Sequence, residues 1–250
     1  MAPLLAGAAK ANITPYVGAW MAGFAGRDVV SDDFVPYAAA WRAIPWLEVC
    51  CGCPALYSEG SLAPGHIART LADLAELPIP ADTPWLATLR RETERLVATA
   101  PDDCWVSASI LRGPSDVVAA MRGLDRFYTD LYDDRALIRE AAGRVNRLLI
   151  DALAMHFEAV PPKLGGYAHI FGYWAPGPTY VIQEDAMGMA SPAVYREVFW
   201  PGNCEVVERF GGHIFFHVHS TGFDHWRDVL EIPGLAGMEL TIESNGPPLL

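Results

Sequence analysis

The sequence predicts an α/β protein built around a parallel sheet, and three observations support this fold class. Short apolar runs that read as buried strands alternate with longer segments of helical periodicity from residue 104 onward. The connections between these segments are short and rich in Gly and Pro. A strand–helix alternation with short connections is typical of parallel α/β sheets.

The first elements of this region are a strand, two short helices and one long helix. "CWVSASIL" (104–111) predicts a buried strand that "RGP" (112–114) ends, and "SDVVAAMRG" and "LDRFYTDLY" predict two helical pieces. A long helix then begins at 135, capped by Asp133 or Asp134, and ends before Pro161. Its apolar residues recur at three- and four-residue steps and predict one buried stripe: Leu137, Ile138, Ala141, Val145, Leu148, Leu149, Ala152 and Met155.

The remaining elements continue the alternation. A strand is predicted over 165–172, and a helix over 191–210 with Ser191 as its N-cap and Pro192 at its first position. After Gly211-Gly212, the predicted order is strand (213–219), short helix (224–230) and strand (237–243). The segment 72–101 predicts a linker and a helix.

Composition excludes several classes of partner. The 250 residues, 52% hydrophobic, suffice for one barrel-sized domain or two smaller ones. A net charge of -12 repels phosphate backbones and anionic lipid, so we expect no nucleic acid and no membrane as partners. The 5 cysteines do not form a disulfide framework, and no signal peptide is evident, so we expect a cytoplasmic protein.

Three histidines lie in the apolar run "GGHIFFHVHSTG" (211–222). Strand alternation places His213, His217 and His219 on one face. His217 and His219 are about 6.6 Å apart along the strand, so both rings can reach one metal ion, whereas His213 lies at the opposite end and is expected to be structural. The alternative is a pair of ordinary buried histidines, since H-x-H is a short motif.

A metal site needs further ligands, and acidic residues end or follow two apolar runs. Glu184 and Asp185 in "VIQEDAMG" and Glu243 in "MELTIESNG" are the candidates, as ligands or as catalytic acids. The alternative role for each is an N-cap or a loop hydrogen bond. Arg112 follows the first strand and can bind a substrate carboxylate with two hydrogen bonds, although a surface ion pair is equally consistent with its position.

Four stretches together resemble the uroporphyrinogen decarboxylase superfamily of (β/α)8 TIM-type barrels, which includes cobalamin-dependent methyltransferases. They are "AIPWLEVCCGCP", "LRGPSDVVAAMRGLDRFYTDLYDD", "SPAVYREVFWP" and "FHVHSTGFDHWRDVLEIPGLAGMELTIESNGP". The resemblance runs from 32 to 250 and implies a barrel domain. Because "ESNGPPLL" falls where family members continue through further β/α units, the barrel is expected to be incomplete at its C-terminus. Residues 1–31 resemble instead the start of a neutral ceramidase-type hydrolase and are treated as a divergent segment.

The resemblance also implies an activity. The methyltransferase branch carries an H-x-C zinc motif, and His217-Val218-His219 occupies that position with His219 in place of the cysteine. The implied ligands are His217 and His219 with Glu184 or Glu243. The implied reaction is methyl transfer to the thiol of a small-molecule substrate from cobalamin on a corrinoid partner protein.

Two alternatives stay open: porphyrinogen decarboxylation without a cofactor, and a non-catalytic barrel fragment. The arginine-rich N-terminal motif of the decarboxylase is absent from this sequence. A homo-oligomer is compatible with both the methyltransferase and the decarboxylase activity.

Overall fold

The computed structural model describes residues 33–41, 44–58, 61–79, 82–222 and 224–246. The predicted N-terminal segment 1–31 therefore lies outside the described residues. The helices are α1 (Trp46–Cys50), α2 (Leu71–Glu76), α3 (Pro84–Thr99), α4 (Pro114–Arg122), α5 (Leu124–Asp133), α6 (Arg135–Ala159), α7 (Pro192–Val198), α8 (Trp200–Phe210) and α9 (Trp226–Leu230), with a 3-10 turn at Asp185–Met189. The strands are β1 (Tyr37–Ala38), β2 (Ala55–Ser58), β3 (Ser61–Pro64), β4 (Trp105–Val106), β5 (Tyr167–Ala168), β6 (Trp174–Ala175), β7 (Tyr180–Gln183), β8 (Ile214–His219) and β9 (Gly237–Thr241).

The strands confirm the α/β class and the parallel pairing. β7, β8 and β9 form a parallel sheet in that order, and β1 pairs with β4 in parallel. Two antiparallel pairs, β2–β3 and β5–β6, complete the described sheets. Within the described residues these are four separate small sheets, so the closed barrel stays a prediction.

The long helix α6 forms much of the core, as its apolar stripe predicts. All of the stripe residues except Leu137 are buried. Asp134 is the N-cap, because its Oδ1 accepts the backbone N–H of Leu137 at 3.1 Å. The helix packs against α3, α4 and α8, and buried apolar residues of all four helices belong to one core cluster.

The predicted helix over 191–210 is two helices. α7 begins after the Ser191 cap as predicted, but it ends at Val198, and α8 restarts with Pro201 in its first turn. Proline has no backbone N–H to donate to the carbonyl four residues earlier, and it is tolerated in a first turn. Pro201 therefore separates the two helices.

Two predicted strands are much shorter in the structure than the sequence indicates. In 104–111, only Trp105–Val106 pairs with a neighbouring strand. Beyond it, Ser109 Oγ donates to the Ala40 carbonyl, and the Tyr180 hydroxyl bonds to both backbone groups of Leu111. Side-chain hydroxyls thus make hydrogen bonds to backbone groups that a longer pair of strands would bond to each other.

In the predicted strand over 165–172, only Tyr167–Ala168 forms a strand, and Gly166 adds an isolated bridge to Lys163. The chain then turns, because the N–H of Gly172 donates to the carbonyl of His169 at 2.8 Å.

The parallel sheet β7–β8–β9 brings the predicted site residues to one edge. In a parallel sheet the carboxyl ends of all strands lie on the same side. His217 and His219 end β8, while 184–185 and 243 follow β7 and β9. Among the described helices, none is both long and apolar enough to cross a membrane.

Candidate metal centre

The two histidines at the end of β8 lie side by side. The ring centroids of His217 and His219 are 4.8 Å apart, and the ring planes are nearly perpendicular at 85°. The His217 side chain is 6% exposed and that of His219 36%, so one ring lies inside the fold and the other at its opening. Strand alternation accounts for this arrangement, because residues two apart project from the same face.

Asp185 completes a group of three potential ligands. Its Oδ1 is 3.8 Å from Nε2 of His217 and 3.8 Å from Nε2 of His219, and one ligand atom from each residue lies within 4.8 Å of the others. In a tetrahedral zinc site with bonds of about 2.05 Å, neighbouring ligand atoms are about 3.3 Å apart. To reach that spacing, each oxygen–nitrogen pair would shorten by about half an ångström and the nitrogen–nitrogen pair by up to about 1.5 Å.

A second carboxylate contacts the opposite nitrogen of each imidazole. Nδ1 of His217 hydrogen-bonds to Oε2 of Glu239, and Nδ1 of His219 lies 3.2 Å from Oε1 of Glu243. A carboxylate that accepts a hydrogen bond from Nδ1–H fixes the proton on Nδ1 and leaves the Nε2 lone pair available, which is the arrangement typical of metal-binding histidines. The donor set of two Nε2 atoms and one carboxylate therefore fits a divalent metal ion.

Strand register explains why these side chains meet. Gln183, His217 and Glu239 are lateral partners across β7, β8 and β9, so they occupy one layer of the sheet. Asp185 lies two residues beyond Gln183, close to the next layer, which contains His219. Parallel pairing thus places the carboxylates beside the imidazoles on the same face.

A cavity of about 240 Å³ opens onto the three residues. It is lined by all three, together with Glu184, Tyr128, Met189 and His225 among others. The Asp185 side chain is 39% exposed, so a bound ion would be accessible from this side. An open position beside three protein ligands distinguishes catalytic from structural zinc sites.

Glu184, predicted as a ligand and catalytic acid, has one carboxylate oxygen bound to the first turn of α4. Its Oε2 accepts the backbone N–H of Ser115 at 2.7 Å, and its side chain is buried. Burial raises the pKa of Glu184 to about 7, although hydrogen bonds from Ser115 and Asn203 act in the opposite direction. Glu184 is not one of the three grouped residues in the described structure.

Glu243, the other predicted acidic ligand, contacts the site through His219. Its Oε2 accepts hydrogen bonds from the hydroxyl and the backbone N–H of Thr221, and its own N–H donates to Ser220 Oγ at 2.9 Å. The hydrogen bond from the Thr221 hydroxyl is the main cause of a lowered pKa for Glu243. Glu243 therefore lies on the Nδ1 side of the His219 imidazole.

Arg112 lines a second cavity, of about 420 Å³, whose wall also includes Asp185 and Tyr128. Its Nη2 lies 2.5 Å from Oε1 of the buried Glu48. Burial raises the pKa of Glu48, an effect that the Arg112 charge opposes. The structure thus gives Arg112 a buried ion-pair partner and leaves one third of its side chain exposed. Its predicted binding of a substrate carboxylate stays a prediction.

Sequence reasoning missed Glu239, which the register places beside His217. A signal was present, because Glu239 and Thr241 lie on one face of β9 and Glu243 follows at the same two-residue spacing. His213 lies at the opposite end of β8, where its ring approaches Gly177.

These features define a candidate metal-binding site at the strand ends of an α/β fold. No family model matches the chain, and no curated protein matches it significantly. Among solved structures, the chain is similar to a methyltransferase from Methanosarcina mazei, with a TM-score of 0.62 and 13% sequence identity. The match covers 81% of this chain and 56% of that one, so the chain spans little more than half the length of that protein. At this identity the similarity shows the fold alone.

Proposed function

We propose that the chain is a zinc-dependent methyltransferase of the uroporphyrinogen decarboxylase superfamily, in which a thiol accepts a methyl group from a corrinoid on a partner protein. The observation that carries the proposal is the convergence of Asp185, His217 and His219 at an open cavity. The similarity of the fold to that of a methyltransferase also supports methyl transfer as the proposed reaction. The parallel pairs β1–β4 and β7–β8–β9 are compatible with an incomplete (β/α)8 barrel, which is the architecture we propose.

In this proposal, His217, His219 and Asp185 hold the metal ion. Glu239 and Glu243 accept hydrogen bonds from the Nδ1–H groups. These bonds orient both rings and make each Nε2 a better metal ligand. Bound zinc is a Lewis acid that lowers the pKa of a thiol and so favours its nucleophilic form at neutral pH. The catalytic roles predicted for Glu184 and Arg112 are kept as predictions, since these side chains line the two cavities that adjoin Asp185.

Metal content is the first test. Protein purified without an affinity tag is expected to contain about one zinc ion per chain by elemental analysis. His217→Ala is expected to lose the ion, and His213→Ala is the matched control, because it removes a histidine from the opposite end of the same strand. Two histidines and one carboxylate also suit Fe(II), so the analysis must identify the element. No bound metal in the wild-type protein would overturn the proposal.

Activity is the second test. Free methylcobalamin and 2-mercaptoethanol serve as donor and acceptor, and loss of the methylcobalamin spectrum measures transfer. We expect turnover in wild type and His213→Ala, and loss of turnover in His217→Ala.

Decarboxylation of uroporphyrinogen that survives chelation and the loss of both histidines would favour the alternative activity. A cooperatively folding protein with neither activity nor metal would be a non-catalytic barrel.

A further inference from the structure

The carboxylate of Asp116 binds the backbone from which Asp185 projects. Asp116 lies in the first turn of α4 and is 9% exposed. Its Oδ2 accepts the N–H of Asp185 at 3.0 Å, and its Oδ1 accepts the N–H of Ala186 at 2.9 Å. Both oxygens of one side chain are therefore used to fix two consecutive peptide groups.

The same turn of α4 makes further hydrogen bonds to the segment after β7. The N–H of Gly113 donates to the carbonyl of Gln183 at 2.8 Å, and that of Ser115 donates to Glu184 Oε2 at 2.7 Å. A Cβ atom at position 113 would lie 2.0 Å from the Gln183 carbonyl oxygen, so only glycine permits this approach. Each of the residues 183–186 therefore takes part in a hydrogen bond with the start of α4.

Asp185 depends on this backbone for its placement. In the part of the chain that the structure describes, the ion pairs of its carboxylate are with the two imidazoles alone, each at 3.8 Å. Its side chain is partly exposed, so close packing does not fix it. On the opposite side, the Tyr128 hydroxyl donates to the Ala186 carbonyl at 2.7 Å and holds the next peptide.

We propose that Asp116 is a positioning residue for the metal centre, because it fixes the backbone of Asp185 at the distance from which the carboxylate can join His217 and His219. This inference rests on the metal site of the proposed function. Asp116 is not one of the three grouped residues, and its hydrogen bond is to the backbone N–H of Asp185, so we expect its effect to be transmitted through that peptide. The residue lies 69 positions from Asp185 in sequence, on a different β/α unit.

Asp116→Asn is the informative substitution. A carboxylate has two acceptor oxygens, whereas an amide has one acceptor and one NH₂ donor, so one backbone N–H would face another donor. Loss of a group that supports metal ligands typically weakens metal binding by about 10- to 100-fold. We expect about a tenfold loss of zinc affinity, measured by competition with a chelating dye on protein first stripped of metal.

The matched control is Asp134→Asn. Asp134 also accepts a backbone N–H at the start of a helix, but it caps α6 away from the site. Thermal unfolding in EDTA measures the structural cost of each change. We expect a larger loss of stability in Asp116→Asn, because Asp116 is buried and asparagine caps an exposed helix start about as well as aspartate does. Weaker zinc binding is expected in Asp116→Asn alone.

A double-mutant cycle with Asp185→Ala separates positioning from general damage. If Asp116 acts through Asp185, Asp116→Asn weakens zinc binding in the wild-type background and has no further effect once Asp185 is alanine. The visible spectrum of the cobalt-substituted protein provides a second readout, and we expect both single variants to change it in the same direction.

The possible failures are distinguishable. No metal binding by the wild-type protein overturns the proposed function itself. Metal binding that Asp185→Ala weakens and Asp116→Asn leaves unchanged overturns only the positioning role. Equal effects of Asp116→Asn in both backgrounds also overturn it, because the residue would then act independently of Asp185.

Discussion

The buried His156 makes the fold sensitive to acid, by an amount that can be worked out from the structure. It lies in the last turn of α6, and its ring contacts Phe157 edge-on at a centroid distance of 5.3 Å. A helix C-terminus favours a protonated histidine, but burial dominates and lowers the pKa of His156 from 6.5 to about 4. The folded protein therefore keeps this ring neutral at pH values where the unfolded chain has already bound a proton.

The direction of the effect follows from proton binding. The contribution of His156 to stability is complete above pH 6.5 and is lost as the pH falls towards 4, because the unfolded state binds the proton first. A pKa difference between 6.5 and about 4 corresponds to about 3 kcal/mol of unfolding free energy. His169, whose pKa is lowered to about 3 by burial and secondarily by the charge of His156, adds to the loss in the same direction.

The substitution His156→Leu removes the titrating ring and keeps an apolar side chain of similar size. Urea unfolding between pH 7.5 and 4.5 gives the free energy of unfolding for each variant. We expect the wild-type value to fall more steeply with acid than that of His156→Leu, by about 2.5 kcal/mol over this range. His66→Leu, at an exposed histidine, is the control for the loss of an imidazole. Equal slopes for wild type and His156→Leu would refute the reasoning.

Three further predictions concern the site, a buried ion pair and the contact between α4 and β7. Glu239→Gln removes the charge that orients His217, so zinc affinity should fall by about 10- to 100-fold in a dye-competition titration. Arg122→Met leaves the buried carboxylate of Asp130 without its guanidinium partner, 2.5 Å away, and should lower the urea unfolding free energy by about 3–5 kcal/mol. Gly113→Ala forces its Cβ to within 2.0 Å of a carbonyl oxygen, so we expect a lower melting temperature and weaker metal binding together.

Each of these predictions has a control of the same chemistry at a site without the proposed contact. Glu231→Gln removes an exposed carboxylate and should leave zinc affinity unchanged. Arg196→Met removes an exposed arginine from its ion pairs and should cost about 1 kcal/mol or less. Gly143→Ala, in α6 with no atom within 4 Å of the added Cβ, should be neutral or stabilising. Effects as large as those of the matched variants would contradict the structural interpretation.

The helices and the strand that bears the histidines were predictable because local sequence encodes them. Asp134 caps α6 and Ser191 caps α7, as their positions before periodic apolar segments indicate. The lengths of two other strands were not predictable in this way. The residues 107–111 are mostly buried, but the Tyr180 hydroxyl, rather than a neighbouring strand, bonds the backbone of Leu111, and Ser109 bonds the Ala40 carbonyl through its side chain.

The candidate site was predictable only in part. Period-two alternation places His217 and His219 on one face, and their position at the end of a strand is visible in the sequence. Which of the adjacent acids Glu184 and Asp185 joins the two histidines depends on where the chain turns after β7. There, α4 binds the Glu184 carboxylate through Ser115 and leaves Asp185 facing the imidazoles.

The sequence by itself determined the α/β class, the helix caps and the pairing of two histidines, because each depends on residues within a few positions of one another. Tertiary structure alone decided that Glu239 lies behind His217 and that Asp116 holds the backbone of Asp185. These contacts depend on strand order, on register and on the packing of a helix against a loop 69 residues further along the chain. Such long-range geometry is set by the burial of the whole core, and no local pattern of residues specifies it.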